Sequence, residues 1–185
     1  MNYCSHCGGP LISRIPPDDD RLRCVCPACG RVHYQNPKLV VGCIPLWEER
    51  ASGEERILIC KRAIGPRLGY WTLPAGYLEN GETAAQGAAR ETLEETGAEV
   101  VDLAPYRMYD IVHVHQIYFI FRARLKAPDF HPTEESAEVK LISESQIPWD
   151  EIAFPVIQKS LEDYLRDRPT RHFPFANDEI TTRLE

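Results

Sequence analysis

The stretch from Gly76 to Ala98, GYLENGETAAQGAARETLEETGA, sets five glutamates, Glu79, Glu82, Glu91, Glu94 and Glu95, around a single arginine, Arg90. Ala84, Ala85, Ala88, Ala89 and Leu93 favour helix, and Gly97 stands where a helix would stop. At 100° per residue, Glu91, Glu94 and Glu95 fall within about 100° of arc on one face. Ala85, Ala89, Leu93 and Thr96 lie nearly opposite and are expected to face a core. Three carboxylates on one face repel one another unless a cation sits among them. A hard divalent ion, Mg²⁺ or Mn²⁺, takes oxygen ligands and arrives with waters and substrate phosphates. A run of acidic residues on a helix is most often solvated surface, so the spacing has to decide.

The 185 residues suit one main domain with a small appendage, and 43% hydrophobic content is enough for a core. A net charge of −7 argues against a general nucleic-acid binder. It leaves room for a nucleotide substrate, whose phosphates a bound metal can neutralise locally. No apolar run is long enough to span a membrane and the first residues lack a secretory pattern, so a soluble, cytoplasmic protein is expected.

Seven cysteines, an odd number that includes two Cys-x-x-Cys pairs, fit metal binding in a reducing compartment better than a disulfide framework. Cys4-Ser-His-Cys7-Gly and Cys26-Pro-Ala-Cys29-Gly each put two thiolates on a tight turn, and their separation is that of a four-cysteine zinc ribbon. Four thiolates close a tetrahedral site, so this Zn²⁺ would be structural, and its binding would supply folding free energy to a module too small for a core. Cys24 is an extra thiol close to Cys26, and His6 and His33 are alternative nitrogen donors. Asp18, Asp19 and Asp20 beside Pro16 and Pro17 read as an exposed hairpin tip.

The organisation expected is a ribbon over 1–35, a catalytic domain over 36–167 and a tail over 168–185. Tyr34 to Pro37 reads as a linker. Leu39 to Trp47 reads as a buried strand that Pro45 ends or bulges, and Arg56 to Arg62 as its hairpin partner across a polar turn from Glu48 to Glu54. Cys43 and Cys60 are core thiols. Val100 to Leu103 and Ala104 to Tyr109 read as strand segments around Pro105, and Ile111 to Leu125 as one long strand with His113 and His115 on the same face. Glu134, Glu135 and Glu138 precede a strand from Val139 to Ile142. Ala153 to Leu165 carries Ile157, Leu161, Tyr164 and Leu165 at helical spacing.

Gly76, Glu82, Arg90, Glu91, Glu94, Glu95 and Gly97 match the fixed positions of the Nudix box, G-x5-E-x7-R-E-U-x-E-E-x-G-U, with Thr92 and Ala98 in place of bulky aliphatics. The chain resembles the Nudix hydrolases. The resemblance implies an α+β fold, a Nudix α/β/α sandwich with a mixed sheet behind the ribbon. It implies Mg²⁺ held by Glu91, Glu94, Glu95 and Glu82 with the Gly76 backbone, and Arg90 orienting the glutamates. The attacking water would lose its proton to Glu94 or to a carboxylate on the later loop, Glu138 or Glu135. Arg62 would hold a phosphate, and Trp71 and Tyr109 are candidates to contact the substrate's rings. The reaction implied is hydrolysis of the pyrophosphate bond of a nucleoside diphosphate linked to another group.

CxxCGGP, YQNPKLVVGC, CKR, GYWTLPAGYLE and AAQGAARET together look like the zinc-ribbon Nudix hydrolases of the plant FAD and ADP-ribose pyrophosphatase type. That resemblance implies AMP as a product and a homodimer. NADH pyrophosphatases also join a ribbon to a Nudix domain, but their SQPWPFPxS-like segment after the box has no counterpart in AEVVDLAPYRMYDIVHVHQ. The alternatives are an NADH or dinucleoside polyphosphate pyrophosphatase, or a non-catalytic nucleotide-sensing regulator whose ribbon contacts nucleic acid. The intact box glutamates and the absence of a basic helix favour the enzyme.

Overall fold

A computed structural model describes residues 1–49 and 53–182, and the chain divides into two compact units, Met1–Pro37 and Lys38–Glu185. In the first unit β1 (Ile12–Arg14), β2 (Arg23–Val25) and β3 (Val32–His33) form an antiparallel three-stranded sheet. The acidic tip is tied down on one side: Asp19 accepts from Arg23 Nε at 2.9 Å.

The second unit is built on a mixed sheet. Its strands are β4 (Lys38–Glu48), β5 (Glu55–Arg62), β6 (Trp71–Thr72), β7 (Ala75–Tyr77), β8 (Val100–Ile111), β9 (Gln116–Leu125), β10 (Ser136–Ile142) and β11 (Ala176–Glu179). The order is β10-β5-β4-β9-β8-β11, with β6 on β5 and β7 on β4. β4 runs parallel to β9 and β11 parallel to β8, while the other neighbours are antiparallel.

Alternation along the strands makes two apolar faces. Ile44, Ile57, Ile59 and Ile120 pack with helix α2 (Pro155–Asp167). Val41, Cys43 and Phe121, from the opposite face, pack with helix α1 (Ala84–Thr96). The result is the expected α/β/α sandwich. Among the described residues no helix is long and apolar enough to cross a membrane.

Several local expectations change. Pro45 neither ends nor bulges its strand; it pairs with Ala123 inside β4. The Cys43 N–H points to the Pro74 carbonyl at 3.2 Å. Two residues on, the Pro45 nitrogen faces the same edge, between the segment that β7 covers and the segment that β5 covers, where no donor is required. The polar turn expected between Glu48 and Glu54 includes residues 50–52, which lie outside the described residues.

The long strand expected from Ile111 to Leu125 is two strands. Val112–Val114 form a 3-10 turn, His115 sits at φ 56°, and Ile111 pairs with Gln116 as β8 reverses into β9. His113 and His115 therefore sit in a turn, not on one face of a strand. The tail is ordered structure through residue 182: Phe173 packs on the core beside Tyr164, and β11 extends the sheet.

One buried ionic network locks α2 to β8. Arg107 and Asp163 have side chains 3% and 1% exposed. Asp163 accepts from Tyr109 Oη at 2.9 Å and Lys159 Nζ at 2.7 Å, while Asp167 accepts from Tyr106 Oη at 2.9 Å and from Arg107.

Candidate active site

Helix α1 begins on a reciprocal cap: Thr83 Oγ1 accepts from Gln86 N–H, and Gln86 Oε1 accepts from Thr83 N–H at 2.8 Å. It ends on Gly97 at φ 70°, whose N–H returns to Leu93 O at 2.8 Å. A Cβ at Gly97 would also lie 2.2 Å from the His131 ring, so the position is restricted twice over. The face turned to the sheet is Gly87, Ala88, Thr92, Glu95 and Thr96, whereas Leu93 is 48% exposed. This corrects the expectation that Leu93 is a core residue.

Two features rotate the helix this way. Gly87 sits so near β4 that a Cβ would lie 3.0 Å from Val41 Cγ2. Glu95, 6% exposed, turns inward to accept from Ala75 N–H at 3.1 Å, with the Cys60 thiol 3.8 Å from the same oxygen. Thr92 and Ala98 are fully buried where larger aliphatics are usual, and the Thr92 hydroxyl is satisfied by Ala88 O at 2.8 Å.

Arg90 is the hub of the carboxylate cluster. Its Nε and Nη2 grip both oxygens of Glu82 at 3.0 and 2.8 Å, and Nη2 also donates to Tyr77 O at 3.0 Å. Nη1 donates to Glu91 at 2.7 Å and to Glu94 at 2.9 Å. Hydrogen bonds from Arg90 and from the Glu79 N–H pull Glu82 down to about 2. Glu82 thus serves the cluster through Arg90, outside the set of carboxylates that line the neighbouring cavity.

That cavity, about 810 Å³, is lined at one end by Glu91, Glu94, Glu95 and Glu135 with the Gly76 backbone. Burial pushes Glu95 up to about 8 and also raises Glu91, because several carboxylates share a half-dry space. The all-oxygen donor set suits Mg²⁺ or Mn²⁺. Gly76 provides the second test of fit: a Cβ there would lie 2.2 Å from Glu91 Oε2, so only glycine lets backbone and carboxylate approach this closely. Arg62, at the end of β5, also lines the cavity, with Nε donating to Pro66 O at 2.7 Å and its guanidinium 5.2 Å from the Phe154 ring. The lining also includes an apolar group, Ile111, Tyr118, Phe154, Ile157 and Ile180, which belongs to the hydrophobic cluster packed on α2.

The structure brings Glu91, Glu94, Glu95, Gly76 and Arg62 together at the cavity, sets Arg90 and Glu82 behind the glutamates, and leaves Glu138, Trp71 and Tyr109 away from it. Glu138 lies in β10, held by Lys61 at 3.1 Å and Lys140 at 2.7 Å. Strand alternation and the irregular register between Ser136 and Glu138 leave Glu135, on the preceding loop, as the carboxylate that reaches the cavity. Trp71 packs under Lys61 and Lys140, with its ring centre 5.5 and 4.9 Å from the two ammonium groups. Tyr109 is fully buried, its hydroxyl spent on Asp163. Sequence reasoning had no signal for Phe154, at the N-cap of α2, or for Ile180 in the tail, both of which reach the cavity through tertiary packing.

In the ribbon, Cys4, Cys7, Cys26 and Cys29 offer sulfur atoms all within 4.8 Å of one another. Both knuckles repeat one pattern: Gly8 N–H to Cys4 O and Gly30 N–H to Cys26 O, each at 2.9 Å, with both glycines at positive φ. Desolvation works against the Cys4 thiolate, but N–H groups of Cys7 and His6 and the His33 ring outweigh it and bring the thiol down to about 5. Cys24 lies in β2 opposite His33, outside the cluster. The four-sulfur set suits a structural Zn²⁺.

A mixed-sheet sandwich carrying this glutamate cluster, with a cysteine ribbon earlier in the sequence, fits a metal-assisted hydrolase, and comparison supplies the family. The NUDIX domain model matches residues 36–163, and the Nudix N-terminal zinc-ribbon model matches residues 2–35. The chain belongs to the Nudix family.

A crystal structure of a NUDIX hydrolase from Nitrosomonas europaea is similar throughout, with TM-score 0.90 and 49% identity, covering 97% of this chain and 99% of that one. Among curated proteins, the NAD-capped RNA hydrolases NudC of Photobacterium profundum and Chromobacterium violaceum are 29% and 30% identical over 73% and 74% of this chain. The aligned region spans about half of those relatives, 47% of each.

Proposed function

We propose that the protein hydrolyses the pyrophosphate bond of a nucleoside diphosphate linked to another group, with ADP-ribose or FAD as substrate and AMP as a product. The observation that carries this reading is the convergence of Glu91, Glu94, Glu95 and Glu135 on a cavity that an apolar cluster, with Ile111, Ile157 and Ile180, also lines. Such a cavity suits a molecule with an anionic centre and uncharged rings.

Glu91, Glu94, Glu95 and the Gly76 backbone are the groups that would hold Mg²⁺ or Mn²⁺. When bound, the metal supplies charge neutralisation of the phosphates and electrophilic assistance. Arg90 fixes the glutamates in place, and Arg62 faces the phosphates from the rim. Water attacks one phosphorus, forming a P–O bond as the bridging P–O bond breaks. A carboxylate accepts the water's proton, and the other phosphate leaves. Glu94 is the carboxylate assigned this role, since its side chain is 55% exposed against 12% for Glu91 and one of its oxygens is free of Arg90. Glu135 stands on the opposing loop as the alternative acceptor. ADP-ribose would give AMP and ribose 5-phosphate, and FAD would give AMP and FMN.

A second reading, cleavage of NAD(H) or of an NAD cap, is favoured by the name of the curated relatives. Against it stands the missing SQPWPFPxS-like segment after the box. Chromatographic identification of products from ADP-ribose, FAD and NADH with Mg²⁺ separates the two. AMP with ribose 5-phosphate or FMN is expected; turnover confined to NADH would replace the first reading with the second.

A further inference from the structure

The NUDIX domain model ends at residue 163, yet the cavity wall does not. Ile180 and Thr182 line the cavity, and both come from the tail. The tail reaches this position by a series of anchors. Phe173 stacks on Tyr164 with ring centres 5.7 Å apart, and Arg107 Nη1 donates to the Pro174 carbonyl. β11 then pairs with β8 from Ala176↔Arg107 to Glu179↔Asp110. Asn177 Nδ2 donates to Asp110 Oδ2 at 3.1 Å, and Ile180 N–H donates to Asp110 O at 2.9 Å. This last bond sets the Ile180 side chain, 7% exposed, into the apolar cluster with Ile111 and Ile157. Thr182 follows at the cavity mouth, where it is exposed.

We propose that the carboxy-terminal segment is a specificity wall, with Ile180 and Thr182 contacting a planar uncharged ring of the conjugate while the glutamate end takes the diphosphate. This rests on the hydrolase reading for the diphosphate's location and adds what chooses the attached group. The chemistry supports a ring: the wall around Ile180 offers Tyr118, Phe154 and aliphatic side chains. An apolar surface of this kind rewards a flat aromatic face over a hydroxyl-covered sugar. The substrates the wall would separate differ in that respect: FAD carries an isoalloxazine, NADH a dihydronicotinamide, and ADP-ribose only a sugar.

The test uses the full chain with Zn²⁺ and two variants. Ile180→Ala enlarges the wall. Thr182→Trp narrows the mouth from an exposed position where the core is untouched. Calorimetry measures binding of ADP-ribose, FAD and NADH with Ca²⁺ in place of Mg²⁺, beside KM and kcat with Mg²⁺. The affinity ratio of FAD to ADP-ribose is expected to change about tenfold or more in at least one variant, the size of a methylene-scale change in an apolar pocket. The shift should appear in Kd and KM, with the Mg²⁺ requirement unaltered.

Parallel changes for all three ligands in both variants, or no change, overturn the proposal. Binding by wild-type protein without turnover would remove the hydrolase reading and leave the Kd ratios to judge the wall. Wild-type protein that binds none of the three overturns both.

Discussion

Gly76 and Glu91 show how tightly single residues are bound to the chemistry. The two are so close that a methyl group at Gly76 has no room beside the Glu91 carboxylate. Gly76→Ala is therefore expected to push Glu91 aside, raise the Mg²⁺ concentration for half-maximal activity, and lower kcat about 10²-fold, the scale of a displacement near 1 Å in a catalytic group. Mg²⁺ titration of steady-state rates checks this, with thermal melting to show that the fold survives.

Residue identity was legible here because the fixed positions of the box lie close together in sequence. Glu135 against Glu138 was not legible in the same way. The choice depends on which side of β10 faces the cavity, and the irregular pairing after Ser136 decides that. Leu93 against Glu95 failed for a related reason: a helical wheel gives relative angles, while contacts with β4 and Ala75 set the absolute rotation.

Among the elements, α2 is fastened to β8 by charge as well as by apolar packing. Burial works to raise Asp163, but hydrogen bonds from Lys159, Tyr109 and Arg166 outweigh it and hold the carboxyl below its ordinary 3.8; Asp167 is lowered likewise. For acids with depressed folded values, the unfolded chain binds protons first as pH falls. Their contribution is thus present above about 3.8 and is lost as pH drops through the folded values. Urea unfolding from pH 7 to pH 3 should show a falling midpoint, with a weaker slope in Asp163→Asn. Asp163→Ala, which leaves the buried Tyr109 hydroxyl without its acceptor and Arg107 with Asp167 as its carboxylate partner, is expected to cost about 1–3 kcal/mol at neutral pH. An unchanged urea midpoint would contradict that role.

Element types near the box and in α2 could be read from periodicity and caps. Val112-His113-Val114-His115 could not, since its β-branched content matches a strand while the reversal into β9 demands a turn. β11 carried no signal: ANDE is a strand only because β8 offers it an edge.

At the scale of the whole molecule, the two units offer donor sets suited to different metals, sulfur in the ribbon and oxygen in the larger unit. The ribbon lacks an apolar core of its own, so its order rests on the four thiolates. Zn²⁺ chelation should expose residues 1–37 to proteolysis while leaving the melting transition of the larger unit in place. If that transition disappears with the Zn²⁺, the two units are one cooperative structure and the account of the ribbon fails.

Whether Glu91, Glu94 and Glu95 form a centre for cleaving a nucleoside diphosphate conjugate is decided by AMP release from ADP-ribose and FAD across a Mg²⁺ titration, in wild-type protein and in Glu94→Gln and Glu95→Gln. The predicted result is Mg²⁺-dependent AMP release that falls by about 10²–10⁴-fold in each folded variant. AMP release that is independent of Mg²⁺, or that both variants sustain at the wild-type rate, would contradict it.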